Sequence, residues 1–141
     1  MAEFTVLDGH GAPAPTIPKP DAPIDPHFVT VQTGVPVIYS EDTLPVCGIR
    51  VVHPTNPNAP SINHSIAMLY LPPHGKMGLH SHETEETYVI ISGTGTVLHW
   101  NGEREVRAGD FIYLPAWCEH GIVNSGLEPL VALLATSPPN F

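Results

Sequence analysis

The sequence predicts an all-β fold: a single small domain of many short strands, preceded by an extended proline-rich arm. Three observations point that way. Only 13% of the 141 residues are charged, below the usual ~25%, so the polar positions fall to Thr, Ser, Asn and His, a mix that suits pleated sheet. The chain holds 12 Gly and 17 Pro, enough to punctuate it with turns. Apolar residues follow the helical period for no more than about two turns anywhere.

Residues 1–26 read as the arm. The run Ala12-Pro13-Ala14-Pro15-Thr16-Ile17-Pro18-Lys19-Pro20 lacks backbone donors and favours an extended, polyproline-like chain. Such a segment is expected either to be disordered or to lie across a partner subunit. Residues 27–141 read as the domain. Strands are expected at 28–32, 35–39, 47–53, 65–71, 87–91, 95–100, 104–106, 111–114, 121–124 and 130–136. Asn101-Gly102 is the strongest hairpin signal, because both residues tolerate positive φ. Ser92-Gly93 and Ala108-Gly109-Asp110 mark further turns, and His53-Pro54-Thr55-Asn56-Pro57-Asn58-Ala59-Pro60 reads as a rigid loop able to rim a pocket. Many short strands at close spacing imply a sandwich or a barrel.

Net charge is −9 with neutral histidines, and only five residues are Lys or Arg. Such a surface repels phosphate backbones and anionic membranes, so neither nucleic acid nor membrane is expected as a partner. A small acidic substrate stays open, because a bound cation reverses the local field. The first residues carry no basic and apolar leader, and no run nears the ~18–20 apolar residues of a membrane span, so a cytoplasmic location is expected. Cys47 and Cys118 form no CxxC pair.

Nine histidines are many for this length, and three are placed apart from the rest. His80 and His82 are two residues apart, so on a strand both imidazoles share a face. Glu86 and Tyr88 have the same parity, with a bend expected at Glu83-Thr84-Glu85. His120 lies 38 residues after His82, on a strand that a barrel can bring opposite the first. Three imidazoles and one carboxylate suit one divalent transition metal: Fe(II), Mn(II), Ni(II), Co(II) or Zn(II). His80, His82, Glu86 and His120 are therefore the expected ligands.

Two stretches carry a family resemblance. Residues 75–93 read Gly75-x4-His80-x-His82-x3-Glu86-x6-Gly93, and residues 109–124 read Gly109-x5-Pro115-x-Trp117-x2-His120-x3-Asn124. These resemble the two signature motifs of the cupin superfamily, over about residues 60–136. The resemblance implies a jelly-roll β-barrel with the motifs on facing strands and the same four ligands. Two positions depart from the pattern. His74 stands where the family usually has glycine, with Gly75 one later, and Trp117 replaces a glycine after the proline, suggesting a bulky wall near the mouth.

Other groups are weighed for chemistry. Tyr88 is a phenol donor or an aromatic core residue, and Glu86 is the other candidate catalytic group. Cys118 shares parity with His120 and is expected to fill a small buried site, with Glu83, Glu85 and Glu119 outward. Met68 and Tyr70, and Phe111 and Tyr113, read as core. Arg50 is a possible anchor for an anionic substrate, and Arg104 is expected in solvent. His10 and His27 are expected on the solvated arm, His53 and His64 at the surface or rim, and His74 and His99 away from the site. Gly93 and Asn124 are expected to be structural.

Three functions compete. The first is a metal-dependent dioxygenase acting on a small chelating substrate beside O₂; the ligand set resembles that of quercetinase-like cupins. The second is a non-oxidative lyase, decarboxylase or isomerase, as in oxalate decarboxylase. The third is a non-catalytic module that binds a small ligand. Small cupins often pair, so a homodimer is expected.

Overall fold

The computed structural model describes residues 17–41 and 44–140. Ten strands follow in order: β1 Val35–Glu41, β2 Leu44–Val52, β3 Ser65–Leu71, β4 Lys76–His80, β5 Glu85–Ser92, β6 Thr94–His99, β7 Gly102–Arg107, β8 Phe111–Leu114, β9 His120–Val123 and β10 Leu130–Ser137. The expected all-β jelly roll is present, and no α-helix occurs among the described residues. The strands form two sheets, β1-β2-β3-β10-β5-β8 and β4-β9-β6-β7, with every pair antiparallel. No ladder joins the edge strands of one sheet to those of the other, so the barrel is an open pair of facing sheets.

Two strand expectations are corrected. Residues 28–32 make no strand; a 3-10 turn forms at Val31–Thr33, held where the Thr30 N–H donates to Thr33 Oγ1 and that hydroxyl donates to Thr30 O, each at 3.0 Å. β4 falls outside the ten expected ranges, although His80 is read as a strand residue. Residues 17–30 carry no regular structure and are exposed apart from Val29, while the arm's residues 1–16, with His10, lie outside the described residues. The hairpin at Asn101-Gly102 joins β6 to β7, and Gly93 turns between β5 and β6 with φ +85°.

The core lies between the sheets. Leu69, Leu71, Ile90 and Leu130 from one sheet meet Met77, Val97 and Ile122 from the other. Each fully buried aliphatic side chain contributes ~1.5–3 kcal/mol. Period two decides which residues enter: Ser65, Leu69 and Leu71 of β3 are buried, so Met68 and Tyr70 occupy the opposite face. On β8 Leu114 is buried, and Phe111 and Tyr113 are 72% and 58% exposed. The expectation that Met68, Tyr70, Phe111 and Tyr113 form the core is thus wrong for both pairs; alternation puts their neighbours inside.

The inward stripes change character at one end of the sandwich. β10 presents Leu130, Ala132 and Leu134, then Thr136; β5 presents Ile90 and Tyr88, then Glu86; β9 presents Ile122, then His120. Polar side chains therefore gather where these strands begin or end together, with Thr136 paired to Glu86 and His80 paired to His120.

Candidate metal centre

Three strands and one loop build the site. His80 ends β4, His120 begins β9 beside it, and Glu86 and Tyr88 come from β5 of the facing sheet. Between the pairs Met77–Ile122 and His80–His120, β4 holds one residue more than β9. This bulge turns His80 onto the face of Met77 despite its opposite parity, and sends Leu79 to solvent at 50% exposure. Close approach of the strands at the bulge requires Gly121, where a Cβ would meet Met77 O at 2.6 Å and the Gly78 carbonyl carbon at 2.9 Å.

Two sequence expectations need correction here. His82 does not share a strand with His80; it lies in the loop of residues 81–84. The two motifs do not face each other, since β4 and β9 are neighbours in one sheet and Glu86 reaches in from the other.

The three imidazoles converge, with one nitrogen of each within 4.8 Å of the others. Ring centroids lie 4.4 Å apart for His80 and His120, 4.9 Å for His82 and His120, and 5.7 Å for His80 and His82. Every Nδ1 is committed: His80 to Gly78 O, His82 to Thr84 O and His120 to Cys118 O, each at 2.8 Å. A carbonyl oxygen only accepts, so each Nδ1 carries the proton and each neutral ring is left with a lone pair on Nε2. Such backbone partners fix ring orientation and raise ligand basicity.

Glu86 Oε1 stands 3.1 Å from His120 Nε2 and 3.4 Å from His82 Nε2, and Glu86 is only 7% exposed. The buried His82 Nε2 has no hydrogen-bond partner. Three converging imidazole lone pairs, two of them beside a carboxylate, repel unless a cation stands among them. A proton meets the need only in part. Burial opposes charge on His120, but hydrogen bonds to Glu86 and the Cys118 carbonyl, with the Glu86 charge, outweigh it and raise its pKa. A divalent metal would satisfy all four donors, and the donor set suits a borderline first-row ion.

Tyr88 is 1% exposed, and its ring packs edge-on to His120 at a centroid distance of 5.8 Å. Burial, then the charges of Glu86 and Cys118, hold its pKa well above the ordinary phenol value, so it stays a neutral donor. It belongs to the core, one of the two roles considered for it, and also lines a chamber beside the cluster. That chamber has room of about 20 Å³ and is walled by Ser65, Ala67, Met77, His80, Glu86, Tyr88, Leu134, Thr136 and Asn140. Sequence reasoning missed Ser65, Thr136 and Asn140. The first two had a readable signal: each is a polar residue at an inward position of an otherwise apolar strand.

The remaining candidates stand elsewhere. Cys118 is half-buried against the core, and Cys47 is exposed; both are free thiols. Glu83, Glu85 and Glu119 are exposed, as are Arg104, His64 and His74. Arg50 is outside the chamber lining, its guanidinium 3.5 Å from Thr55 Oγ1. His27 bonds Asn58 O at 3.0 Å, and His99 lines a separate surface cleft. His53, expected at the surface or rim, is 6% exposed, so the surface alternative falls and the rim remains. Asn124 is fully buried and donates to Leu71 O and Glu128 O while accepting from Gly126 N, the structural role expected of it. Both departures from the motif pattern have left-handed backbone, with φ +68° at His74 and +64° at Trp117. Trp117 is 65% exposed, and its backbone N–H donates to His82 O at 2.8 Å.

Comparison with known proteins agrees with this geometry. Residues 67–136 match the family model described as the cupin domain. Over 79 residues the chain is 39% identical to an uncharacterized protein of Methanocaldococcus jannaschii, covering 55% of this chain and 63% of that one. Over 62 residues it is 42% identical to an oxalate-binding protein of Thermotoga maritima, covering 43% and 50%. The matched stretches thus span less than two thirds of either relative. Among solved structures, a predicted oxalate decarboxylase of Thermotoga maritima superposes with TM-score 0.67 at 22% identity, over 79% of this chain and 98% of that one. The polyketide cyclase RemF of Streptomyces resistomycificus gives 0.67 at 17% identity, over 78% of each chain. Identities this low establish the shared fold alone.

Proposed function

We propose that this chain, which belongs to the cupin family, is a mononuclear metal-dependent enzyme, a dioxygenase acting on a small chelating organic substrate. The observation that carries the reading is the convergence of three imidazoles whose Nδ1 atoms are held by backbone carbonyls, with the buried Glu86 carboxylate beside two of them. His80, His82, His120 and Glu86 would hold the ion. A bound first-row metal supplies Lewis acidity toward substrate oxygens and, if redox-active, electron exchange with O₂.

The residues around the cluster limit the chemistry. Met77, Ala67 and Leu134 give the chamber an apolar part, while Ser65 and Thr136 offer hydroxyls. Apart from the proposed ligands, Tyr88 is the only titratable side chain in the lining, and it holds its proton. Oxygen insertion asks little proton transfer of the protein, which suits such a lining. No Lys or Arg lines the chamber, so an anionic substrate would owe its binding to the ion and the hydroxyls. The substrate is a small-molecule diketone, enol, catechol or thiol acid, and the protein works as a homodimer in the cytoplasm.

Similarity to the oxalate-binding protein favours a second, non-oxidative reading in which a small dicarboxylate is bound or decarboxylated. Tyr88 would then protonate the product carbanion. Reconstitution of metal-free protein with Fe, Mn, Ni, Co and Zn, followed by O₂ uptake with the substrate panel, tests the first reading. Metal-dependent uptake supports it. Turnover of oxalate or another small acid under anaerobic conditions transfers the assignment to the second. Failure to bind any of the five metals removes both.

A further inference from the structure

We propose that residues 137–140 form a strap across the chamber beside the histidine cluster, and that His53 is the latch that holds it. The strap thereby sets the size of molecule that reaches the site.

The geometry brings the strap to the chamber wall. β10 ends at Ser137 next to Glu85 of β5, just beyond the pairing of Thr136 with Glu86. From there the chain turns inward. The Asn140 N–H donates to Thr136 Oγ1 at 3.4 Å, and Asn140 joins His80, Glu86 and Tyr88 in the chamber lining. Ser137 is exposed yet anchored, its hydroxyl donating to Asn63 O at 3.0 Å. The chamber that Asn140 helps to line has room of about 20 Å³, enough for one water-sized group. An organic substrate therefore needs its lining to move, and Asn140 is the lining residue that lies outside any strand.

His53 supplies the other anchor from 87 residues away. Its Nδ1 accepts the Thr55 N–H at 3.1 Å, so the ring proton sits on Nε2 and is donated to Asn140 O at 2.5 Å. The loop that carries His53 is stiff. Its N–H donates to Ala59 O, its carbonyl accepts from Asn56 N, and the buried Asn56 side chain donates to Val51 O at 2.7 Å. A rigid loop thus holds one hydrogen bond on a short segment that contains Pro138 and Pro139. The simpler view, that His53 only ties down a loose end, does not explain why the residue it holds is part of the chamber wall.

The consequence for access rests on the metal reading above; the latch itself does not. Two measurements on the full chain separate them. Hydrogen exchange of the C-terminal peptide, read by mass spectrometry on metal-free protein, reports the latch. The rate at which EDTA strips cobalt(II), read from the visible spectrum, reports the mouth. In His53→Ala both rates are expected to rise about two- to tenfold, the range commanded by one hydrogen bond, and His53→Gln, whose amide can still donate, restores most of the loss. Unchanged exchange in His53→Ala overturns the latch. Faster exchange with unchanged cobalt release overturns the strap as a gate. If His53→Ala does not fold, a chain ending at Ser137 replaces it, and cobalt release no faster than in the full chain again overturns the gate. A wild-type protein that takes up none of the five metals sinks the proposed function while leaving the exchange result to decide the latch.

Discussion

His80 and His120 are cross-strand partners whose rings lie 4.4 Å apart at 58°, although His80 sits one position out of phase with its own strand. The extra residue between Met77 and His80 makes the pairing possible, and the absence of a side chain at Gly121 makes room for it. The predictions below start from that arrangement.

Removing a ligand should remove the metal and spare the fold. His120→Ala is expected to lower metal affinity by at least ~100-fold, and Glu86→Gln by ~10- to 100-fold, while the β-type circular dichroism persists. Metal analysis after dialysis checks both. Full occupancy in His120→Ala would falsify the ligand assignment.

The bulge should be sensitive to one methyl group. Gly121→Ala forces the β9 backbone away from Met77 O and is expected to cost about 1–3 kcal/mol of stability. It should also weaken metal binding about tenfold by shifting His80. Denaturant unfolding and metal titration of the same variant check the pair; normal affinity would mean that the bulge does not place His80.

Acid should compete with the metal. In the metal-free protein Glu86 helps hold a proton on His120 and raises its pKa. The stabilisation from that proton is complete below the ordinary imidazole value and is lost as pH rises through the raised one. Metal binding needs the same nitrogen deprotonated. Affinity is therefore expected to fall as pH drops through the raised His120 value, on the alkaline side of an ordinary imidazole. Calorimetric titration in buffers of different ionisation enthalpy should reveal proton release, and a pH-independent affinity would contradict the account.

Tyr88 distinguishes the two chemistries. Tyr88→Phe keeps the ring against His120 and deletes only the hydroxyl, so folding should be preserved. A reaction that needs its proton should slow by ~10²–10⁴-fold, whereas oxygen insertion should change little. Turnover of the loaded variant on each substrate class makes the comparison.

Strain at His74 and Trp117 should be relievable. Both have left-handed φ, which glycine adopts without a Cβ clash. His74→Gly and Trp117→Gly are each expected to stabilise by up to ~1 kcal/mol, or about 2–4 °C in melting temperature. Both side chains are exposed, so little packing is lost. A lower melting temperature in either would show that its side chain makes a contact worth more than the strain.

Much of this could be read along the chain. Alternation and turn residues gave the strands whose pattern is regular, among them β3, β8 and β10 at close to their observed bounds. The identities and spacing of His80, His82, Glu86 and His120 named the cluster because ligating side chains are chemically distinctive wherever they sit. The rest depended on contacts between distant segments. A bulge breaks period two, so β4 had no expected range and the face of His80 could not be counted from its neighbours. Which face of β3 and β8 points inward depends on the opposing sheet, so Met68 and Phe111 read as core although Leu69 and Leu114 fill it. Composition cannot show that a carbonyl two residues away pins each imidazole, or that His53 and Asn140 meet across 87 positions, because hydrogen bonds of that kind exist only once the backbone has been placed. The sequence by itself determined which groups could bind an ion; tertiary structure decided where each one points.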